Sequence, residues 1–429
     1  MKLIRGQTIS FGANHHDITH HERGVIVLDT MGKIIWHGAC DVLPQIYKNL
    51  PTDDYAANII MAGFIDAHIH FPQNRMLAAP GKDLLDWLHR FTFPEEARYA
   101  DQDYAKSKAE IFLNRLFANG TTSALAFCSV HKTCADSLFA AAHARNMSLT
   151  TGKTMMDRNA IPAVHDDATT GAKDSADLYD KWHGVGRQRY AITPRFAITS
   201  TEAQLASAGA LMQTYPKALM QTHISESAGE IAMVQSLFPN EKDYTAVYER
   251  FRLVSAQSIF AHGIHLSESE CQRLHDADST IAHCPTSNNF LGSGLMSMRH
   301  LGKSERAIPV ALATDVGGGT TYSMLATLGE TYKVQMLTGY KPSAAELFFM
   351  ATKGNALRLK RDAEIGDFSV GKYADLVVLD PCATPVLASR QELSQSLEDM
   401  LFALMILGDD RAITATYVAG VKVYDRLSP

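Results

Sequence analysis

The sequence contains little cysteine, no long apolar run and no cluster of positive charge. Six cysteines are spread over 429 residues without a C-x-x-C pair, which argues against a disulfide scaffold and favours a reducing compartment. No apolar run approaches the ~20 residues that cross a bilayer, and the first residues turn polar before a signal-peptide core can form. A net charge of -6 is unlike the clustered basic face of a nucleic-acid binder. We therefore expect a soluble, cytoplasmic protein with neither membrane nor nucleic acid as a partner.

The middle of the chain differs from its two ends in predicted secondary structure. Short strand-like runs bounded by turn residues fill residues 1 to about 60 and return near the C-terminus. Between them, strand-like runs alternate with helical stretches, at 63–69, 122–127, 148–154, 189–196, 219–225, 258–264, 280–286 and 310–315. This alternation predicts an α/β fold with a (β/α)8 TIM barrel over 63–363. Residues 1–62 and 364–429 are predicted to form one small β-sandwich domain.

Two histidines close the first of these eight runs. In residues 64–70 (FIDAHIH), His68 and His70 are two positions apart, so a strand projects both imidazoles onto one face. Neutral imidazole is a common ligand for zinc or iron. Barrel enzymes build their active sites at the C-terminal ends of the strands. The pair therefore predicts half of a metal site.

Other strand ends carry polar side chains that an apolar barrel core does not need. His223 precedes Glu226 by three residues, which suits a metal ligand beside a proton shuttle, although Glu226 alone could equally cap the next helix. Asp315 could ligate metal and accept a proton from water, or form a helix cap or Asx turn. His262 could be catalytic or an ordinary buried histidine. Their coincidence at several strand ends favours the chemical interpretation.

Three further residues suit a planar heterocycle. Arg195 and Phe196 follow the fourth barrel strand and combine a rigid fork of donors with an aromatic face. Gln73 offers both a donor and an acceptor to a base edge. The alternatives are an arginine paired with a structural carboxylate and a loop amide that faces water.

Other histidines and one cysteine are excluded from the predicted site. His15, His16, His20 and His21 form the densest histidine cluster, but they lie in the polar N-terminal segment away from every barrel strand end. We interpret them as part of a solvated loop. His283 and Cys284 stand at a strand end, where we expect mainly structural roles.

These motifs together resemble a known family. The run GFIDAHIH at 63–70, with His223, His262 and Asp315 far downstream, is similar to the amidohydrolase superfamily, as is GDFSVGKYADLV at 366–377. A more specific likeness comes from five short segments. Within the superfamily they resemble the members that deaminate guanine: HFPQ at 70–73, LLDWL at 84–88, TFPE at 92–95, PRF at 194–196 and TDV at 314–316.

The resemblance implies a ligand set and three catalytic roles. It assigns one Zn2+ per subunit, with Fe2+ as the alternative, to His68, His70, His223 and Asp315. Glu226 would shuttle the proton, His262 would orient the attacking hydroxide, and Asp315 would accept the proton of water. No lysine occurs in 189–196, so the carboxylated lysine of a two-metal site is missing and one metal is expected.

The resemblance also implies the substrates and the assembly. Guanine and water would be the substrates, in a step of purine catabolism, and the protein would be a homodimer. Residues 87–93 would form part of a cover over the pocket. Guanine binding is assigned to His70, Phe71, Pro72, Gln73, Arg195, Phe196, His223, Glu226 and Asp315. The alternatives are a related aminohydrolase acting on 8-oxoguanine, a pterin or an s-triazine, and a barrel homologue without catalytic activity.

Overall fold

A computed structural model describes residues 1–427, which form sixteen β-strands and sixteen α-helices. The strands are β1 (Lys2–Phe11), β2 (Ile18–Leu28), β3 (Ile34–Ala39), β4 (Thr52–Ala62), β5 (Phe64–His70), β6 (Thr121–Phe127), β7 (Ser148–Gly152), β8 (Thr154–Met155), β9 (Gln188–Pro194), β10 (Leu219–Ile224), β11 (Ser258–His262), β12 (Thr280–His283), β13 (Val310–Leu312), β14 (Leu376–Leu379), β15 (Ile413–Val418) and β16 (Val421–Asp425). The helices are α1 (Leu84–Trp87), α2 (Phe93–Ala97), α3 (Gln102–Ala118), α4 (Lys132–Ala144), α5 (Ala168–Trp182), α6 (Glu202–Thr214), α7 (Ala228–Leu237), α8 (Tyr244–Arg250), α9 (Glu268–Asp276), α10 (Pro285–Phe290), α11 (Met298–Leu301), α12 (Met324–Leu337), α13 (Ala344–Phe349), α14 (Asn355–Arg358), α15 (Pro385–Gln391) and α16 (Leu397–Leu407).

The predicted barrel is confirmed. Eight parallel strands follow one another in the order β5, β6, β7, β9, β10, β11, β12 and β13, with the short β8 paired to β9. Small apolar side chains such as Ala191, Ala261, Ala282 and Ala311 fill the interior. A larger apolar layer lies between the strands and the surrounding helices. Because both faces of each strand are covered, the strands read as nearly continuous apolar runs.

The two ends of the chain meet in a separate mixed sheet, as predicted for the terminal segments. Its strand order is β16-β15-β14-β4-β1-β2-β3. Only β1 and β4 pair in parallel; the other neighbours are antiparallel. Asp375 and Arg187 form a buried ion pair that joins this sheet to the barrel. Helix α16, whose buried Leu401, Leu404 and Met405 face the core, lies in a terminal segment for which only strands were predicted.

Several strands end earlier than the sequence predicts, for local reasons. Strand β12 ends at His283 because Pro285 begins α10, and proline lacks the N–H that a sheet needs. Strand β11 ends at His262, which has a φ of 72°. Strand β13 ends at Leu312, three residues before Asp315 with its φ of 51°. A positive φ turns the chain out of the sheet and towards the strand-end loops.

The barrel closes between β5 and β13 through side chains as well as backbone. Asn355 Nδ2 donates to the carbonyl oxygens of Ile65 at 2.6 Å and Leu312 at 2.8 Å, and the Leu312 amide donates to Asn355 Oδ1 at 2.9 Å. Higher up, the Asp315 amide donates to the His68 carbonyl at 2.9 Å. The seam therefore holds His68 and Asp315 side by side. Within residues 1–427, no helix is both long and apolar enough to cross a membrane.

Candidate active site

Three imidazoles and one carboxylate converge at the C-terminal end of the barrel. His70 Nε2 lies 3.2 Å from His68 Nε2 and 3.2 Å from His223 Nε2. Asp315 Oδ1 lies 3.2 Å from His68 Nε2 and 3.3 Å from His70 Nε2. The three histidines present ligand atoms that all lie within 4.8 Å of one another. The structure thus brings together the four predicted ligands around one point.

The protonation of this cluster suits a divalent cation. Burial lowers the pKa of His70 to about 3 and holds the pKa of His223 well below its usual value. Burial raises the pKa of Asp315, but the contacts with His68 and His70 outweigh it and bring this pKa well below the ordinary value. Neutral imidazoles beside a carboxylate are the donor set that zinc and ferrous iron accept. The residues present therefore fit a metal site.

Glu226 is a buried carboxyl next to this cluster. Its side chain is 3% exposed, and burial followed by the charge of Asp315 raises its pKa to about 8. Ser293 Oγ donates to Glu226 Oε1 at 3.0 Å. The helix that follows is capped by Ser227, which forms a capping box with Glu230, so Glu226 is not the cap. A carboxyl that keeps its proton near neutral pH can act as a general acid.

His262 stands between the two carboxylates. Its Nε2 lies 3.4 Å from Glu226 Oε2 and 3.9 Å from Asp315 Oδ2. Its Nδ1 lies 2.8 Å from Asn288 Oδ1, which can only accept. Nδ1 therefore donates, and Nε2 faces the site. The left-handed backbone at His262 is energetically costly, which is common where a side chain must be aimed at a site.

A cavity that is open to solvent, with about 380 Å³ of empty space, lies beside these residues. Its polar lining includes His70, His223, Glu226, His262 and Asp315. Its apolar lining is built by Leu84, Trp87, Leu88, Phe196 and Leu291. Three of these apolar residues come from α1 and the π-helical turn after it. The predicted cover segment 87–93 thus contributes Trp87 and Leu88 to the cavity wall, and Leu84 precedes it.

Arg195 and Gln73 also line the cavity, and both contact Glu96. Arg195 Nη1 lies 2.9 Å from each oxygen of the Glu96 carboxylate. Gln73 Nε2 donates to Glu96 Oε1 at 3.0 Å. Arg195 was predicted either to bind a heterocycle or to pair with a structural carboxylate. It pairs with the carboxylate of Glu96 and also faces the cavity. Gln73 is 1% exposed and is not a solvated loop amide.

Two predicted substrate contacts lie elsewhere. Phe71 packs on Tyr99 and Phe112, with ring centroids 5.1 and 5.3 Å apart, and it is absent from the cavity wall. Pro72 is buried in the short 3-10 turn that carries Phe71 and Gln73, and it is also absent from the wall. The turn buries Phe71 and Pro72 away from the cavity, so only Gln73 of these three reaches the site.

The residues excluded from the sequence-based site are mostly remote from it. His20 Nε2 lies 2.9 Å from Gln7 Nε2 on the terminal sheet. His283 is buried with its Nε2 3.5 Å from Gln335 Nε2. Cys284 does lie near His68, His262 and Asp315. However, burial and then the charge of Asp315 raise its thiol pKa well above the usual value. It therefore stays a protonated thiol in the barrel core.

Sequence reasoning missed Glu96, Asn288 and Ser293. None of them ends a strand, and each contacts a partner distant in sequence, such as Arg195 for Glu96 at a separation of 99 residues. One local signal was available for Glu96: it directly follows the TFPE run. No comparable signal marks the serine or the asparagine.

The chain is similar to known proteins over nearly its whole length. A model of the amidohydrolase family matches residues 59–423. Guanine deaminase of Escherichia coli strain K12 is 45% identical over 433 aligned residues, which cover 99% of this chain and 98% of that protein. The solved structure of E. coli guanine deaminase has a TM-score of 0.95 at 42% identity and covers 99% of this chain and 100% of its own. The structure of guanine deaminase from C. acetobutylicum, which has guanine bound in its active site, has a TM-score of 0.88 at 31% identity. The matched region covers 99% of this chain and 100% of the C. acetobutylicum chain.

Proposed function

The chain belongs to the amidohydrolase family, and we propose that it catalyses the hydrolytic deamination of guanine to xanthine and ammonia. One observation carries the proposal: a single cavity is lined by His70, His223 and Asp315, which cluster with His68, and by Glu226, Arg195 and Gln73. The similarity to guanine deaminases over nearly the whole chain supports guanine as the substrate.

We assign one divalent cation to His68, His70, His223 and Asp315. Zn2+ is the preferred ion and Fe2+ the alternative, because both accept imidazole and carboxylate ligands. Such an ion supplies Lewis acidity that makes water a nucleophile at neutral pH. The buried imidazoles of His70 and His223 are neutral, so these two ligands need not lose protons before binding it.

The protein side chains account for the movement of each proton. The free Asp315 oxygen takes a proton from water while His262 Nε2 orients the water. The water oxygen bonds to the amino-bearing ring carbon, and Glu226 gives its proton to the adjacent ring nitrogen. Asp315 then returns its proton to the amino group, and Glu226 removes the proton of the new hydroxyl. The carbon–nitrogen bond breaks, ammonia leaves and the ring carbon becomes the second carbonyl of xanthine.

Arg195, Gln73 and Phe196 orient the base in this scheme. Arginine offers only donors, so it binds the carbonyl oxygen of guanine. The amide of Gln73 can bind a ring edge, and the Phe196 ring covers part of a planar face. We assign Phe71 and Pro72, which lie behind the cavity wall, to the support of Gln73 rather than to direct contact.

We further propose a cytoplasmic homodimer that acts in purine catabolism, with 1–62 and 364–429 as one domain and 63–363 as the other. All six cysteines are free thiols, which suits a reducing compartment. Size-exclusion chromatography with light scattering measures the assembly: a mass of two chains agrees with the proposal, and a mass of one chain contradicts it.

A substrate panel tests the proposed activity. The metal-loaded protein is incubated separately with guanine, 8-oxoguanine, a pterin and an s-triazine, and ammonia release is followed. We expect kcat/KM to be highest for guanine by at least a hundredfold. Higher turnover of one of the other heterocycles would reassign the substrate and keep the aminohydrolase chemistry.

A further inference from the structure

Glu96 is a charged residue without exposed surface. It lies on α2, is 0% exposed, and its two oxygens accept three hydrogen bonds from Arg195 Nη1 and Gln73 Nε2, at 2.9, 2.9 and 3.0 Å. A buried carboxylate is costly unless it is paired and hydrogen-bonded. Glu96 has such partners, and both of them are side chains that line the cavity.

The contact with Glu96 fixes which way the Gln73 amide faces. Its nitrogen donates to Glu96, and its oxygen accepts from the Gly317 amide at 3.3 Å. A Cβ at Gly317 would lie 2.8 Å from the Gln73 carbonyl oxygen and 2.9 Å from the Gln73 Cβ, so glycine permits this close approach. With both ends held, Gln73 presents one orientation to a ligand.

The same contact orients the Arg195 guanidinium. Nη1 is committed to Glu96, and the Phe93 ring centroid lies 5.6 Å from the guanidinium carbon. Within residues 1–427, no acceptor is bonded to Nη2 or Nε of Arg195, so these donors remain available to a ligand in the cavity that Arg195 lines. A planar guanidinium held on one edge gives directed donors on its others.

We propose that Glu96 is a positioning residue that sets the preference for a purine bearing a ring carbonyl, by holding Arg195 and Gln73 in one arrangement. The inference rests on the proposed deamination of guanine and adds a residue that acts through two others. Without the carboxylate, the arginine keeps its charge but loses its orientation. Binding of the carbonyl then weakens, while contacts with the apolar wall persist.

The test compares the binding of two purines that differ in the ring carbonyl. Hypoxanthine carries the ring carbonyl, purine lacks it, and neither has the amino group that the reaction removes. In Glu96→Gln, we expect the inhibition constant of hypoxanthine to rise about tenfold or more, as expected for a lost charged hydrogen bond. The constant of purine should change less than threefold. For guanine, KM should rise by a similar factor while kcat falls less than threefold.

Glu95→Gln is the matched control. Glu95 precedes Glu96 in the same helix, but its carboxylate contacts Tyr104, Arg98 and Arg75 away from the cavity. All kinetic and inhibition constants of this variant should stay within threefold of the wild type. Thermal melting and metal content of each variant establish that folded, loaded proteins are compared.

Three results would overturn the proposal. The first is an equal change in the constants of hypoxanthine and purine. The second is a fall in kcat without a rise in KM. The third concerns folding and needs a second variant.

If Glu96→Gln does not fold, Glu96→Asp keeps the charge on a shorter side chain and should weaken hypoxanthine binding selectively by at least threefold. Failure of both variants to fold, with Glu95→Gln intact, is the third, because Glu96 would then be a purely structural residue. Wild-type protein that does not deaminate guanine would instead refute the proposed function.

Discussion

His223 Nδ1 donates a hydrogen bond of 2.8 Å to the backbone carbonyl oxygen of Arg195. A carbonyl oxygen can only accept, so this bond fixes the imidazole tautomer and leaves the Nε2 lone pair directed at His70 and His68. The side chain of the same arginine lines the substrate cavity. The hydrogen bond therefore fixes the proposed metal ligand His223, on β10, relative to the proposed substrate contact Arg195, which follows the adjacent strand β9.

Glu226→Gln should abolish proton transfer while leaving the metal ligands in place. Glutamine has nearly the same shape but no acidic proton, so kcat should fall about 10²–10⁴-fold. Metal content, measured by plasma mass spectrometry, should match the wild type. Glu202→Gln, at an exposed carboxylate, is the control and should keep full activity. Near-normal turnover of metal-loaded Glu226→Gln would contradict the assigned role.

The activity should decline at alkaline pH. Burial raises the pKa of Glu226 to about 8, and the proposed mechanism uses the protonated form. Above that pH the protonated fraction drops tenfold for each pH unit. The expected profile of kcat/KM is therefore flat below pH 8 and falling above it, after correction for the separately titrated ionisation of guanine. A profile that stays flat to pH 10 would exclude Glu226 as the proton donor.

Ser293→Ala should move this alkaline limb to higher pH. Ser293 Oγ donates to Glu226 Oε1, a bond that favours the carboxylate and lowers its pKa. Removing the hydroxyl favours the protonated form, so the pKa rises further. We expect kcat at neutral pH to stay within tenfold of the wild type. A limb that moves to lower pH would mean that the serine stabilises the acid instead.

Metal removal should cost both activity and stability. A ligand that binds only the folded chain stabilises it by about 4 kcal/mol when its concentration is a thousand times its dissociation constant. Chelated protein should therefore melt at a lower temperature and release no ammonia. Titration with Zn2+ should restore both at one ion per chain. Full activity in protein that analysis finds free of metal would contradict the ligand assignment.

Asn355→Leu should destabilise the barrel at its seam. The substitution preserves approximate size but removes the three hydrogen bonds to Ile65 and Leu312. Each buried backbone group left without a partner costs about 1–3 kcal/mol. We expect urea unfolding to report a loss of at least about 3 kcal/mol. Asn289→Leu, at an exposed position, should change stability by less than about 0.5 kcal/mol.

The strand-end residues were predictable because their signals are local. His68 and His70 share one face of one strand, and the βα alternation implies a barrel that brings distant strand ends together. The sequence could not indicate that His262 and Asp315 have left-handed backbones. Those angles are imposed by the surrounding structure, in Asp315 by the seam contact with His68.

The supporting residues were not predictable, because their roles depend on contacts across the fold. Glu96 reaches Arg195 only when α2 folds over the barrel mouth, and Ser293 meets Glu226 from a loop 67 residues away. Phe71 illustrates the opposite case. The family resemblance implied a substrate contact for Phe71, yet its ring packs on Tyr99 and Phe112. The sequence therefore predicted the residues at the strand ends better than the residues that line the cavity.

The most direct test is a product balance with guanine. Metal-analysed protein is incubated with guanine, and guanine, xanthine and ammonia are quantified over time beside chelated protein and Glu226→Gln. The account predicts one xanthine and one ammonia for each guanine lost, with both products absent from the two controls. Unchanged guanine in the presence of fully metal-loaded wild-type protein would contradict it.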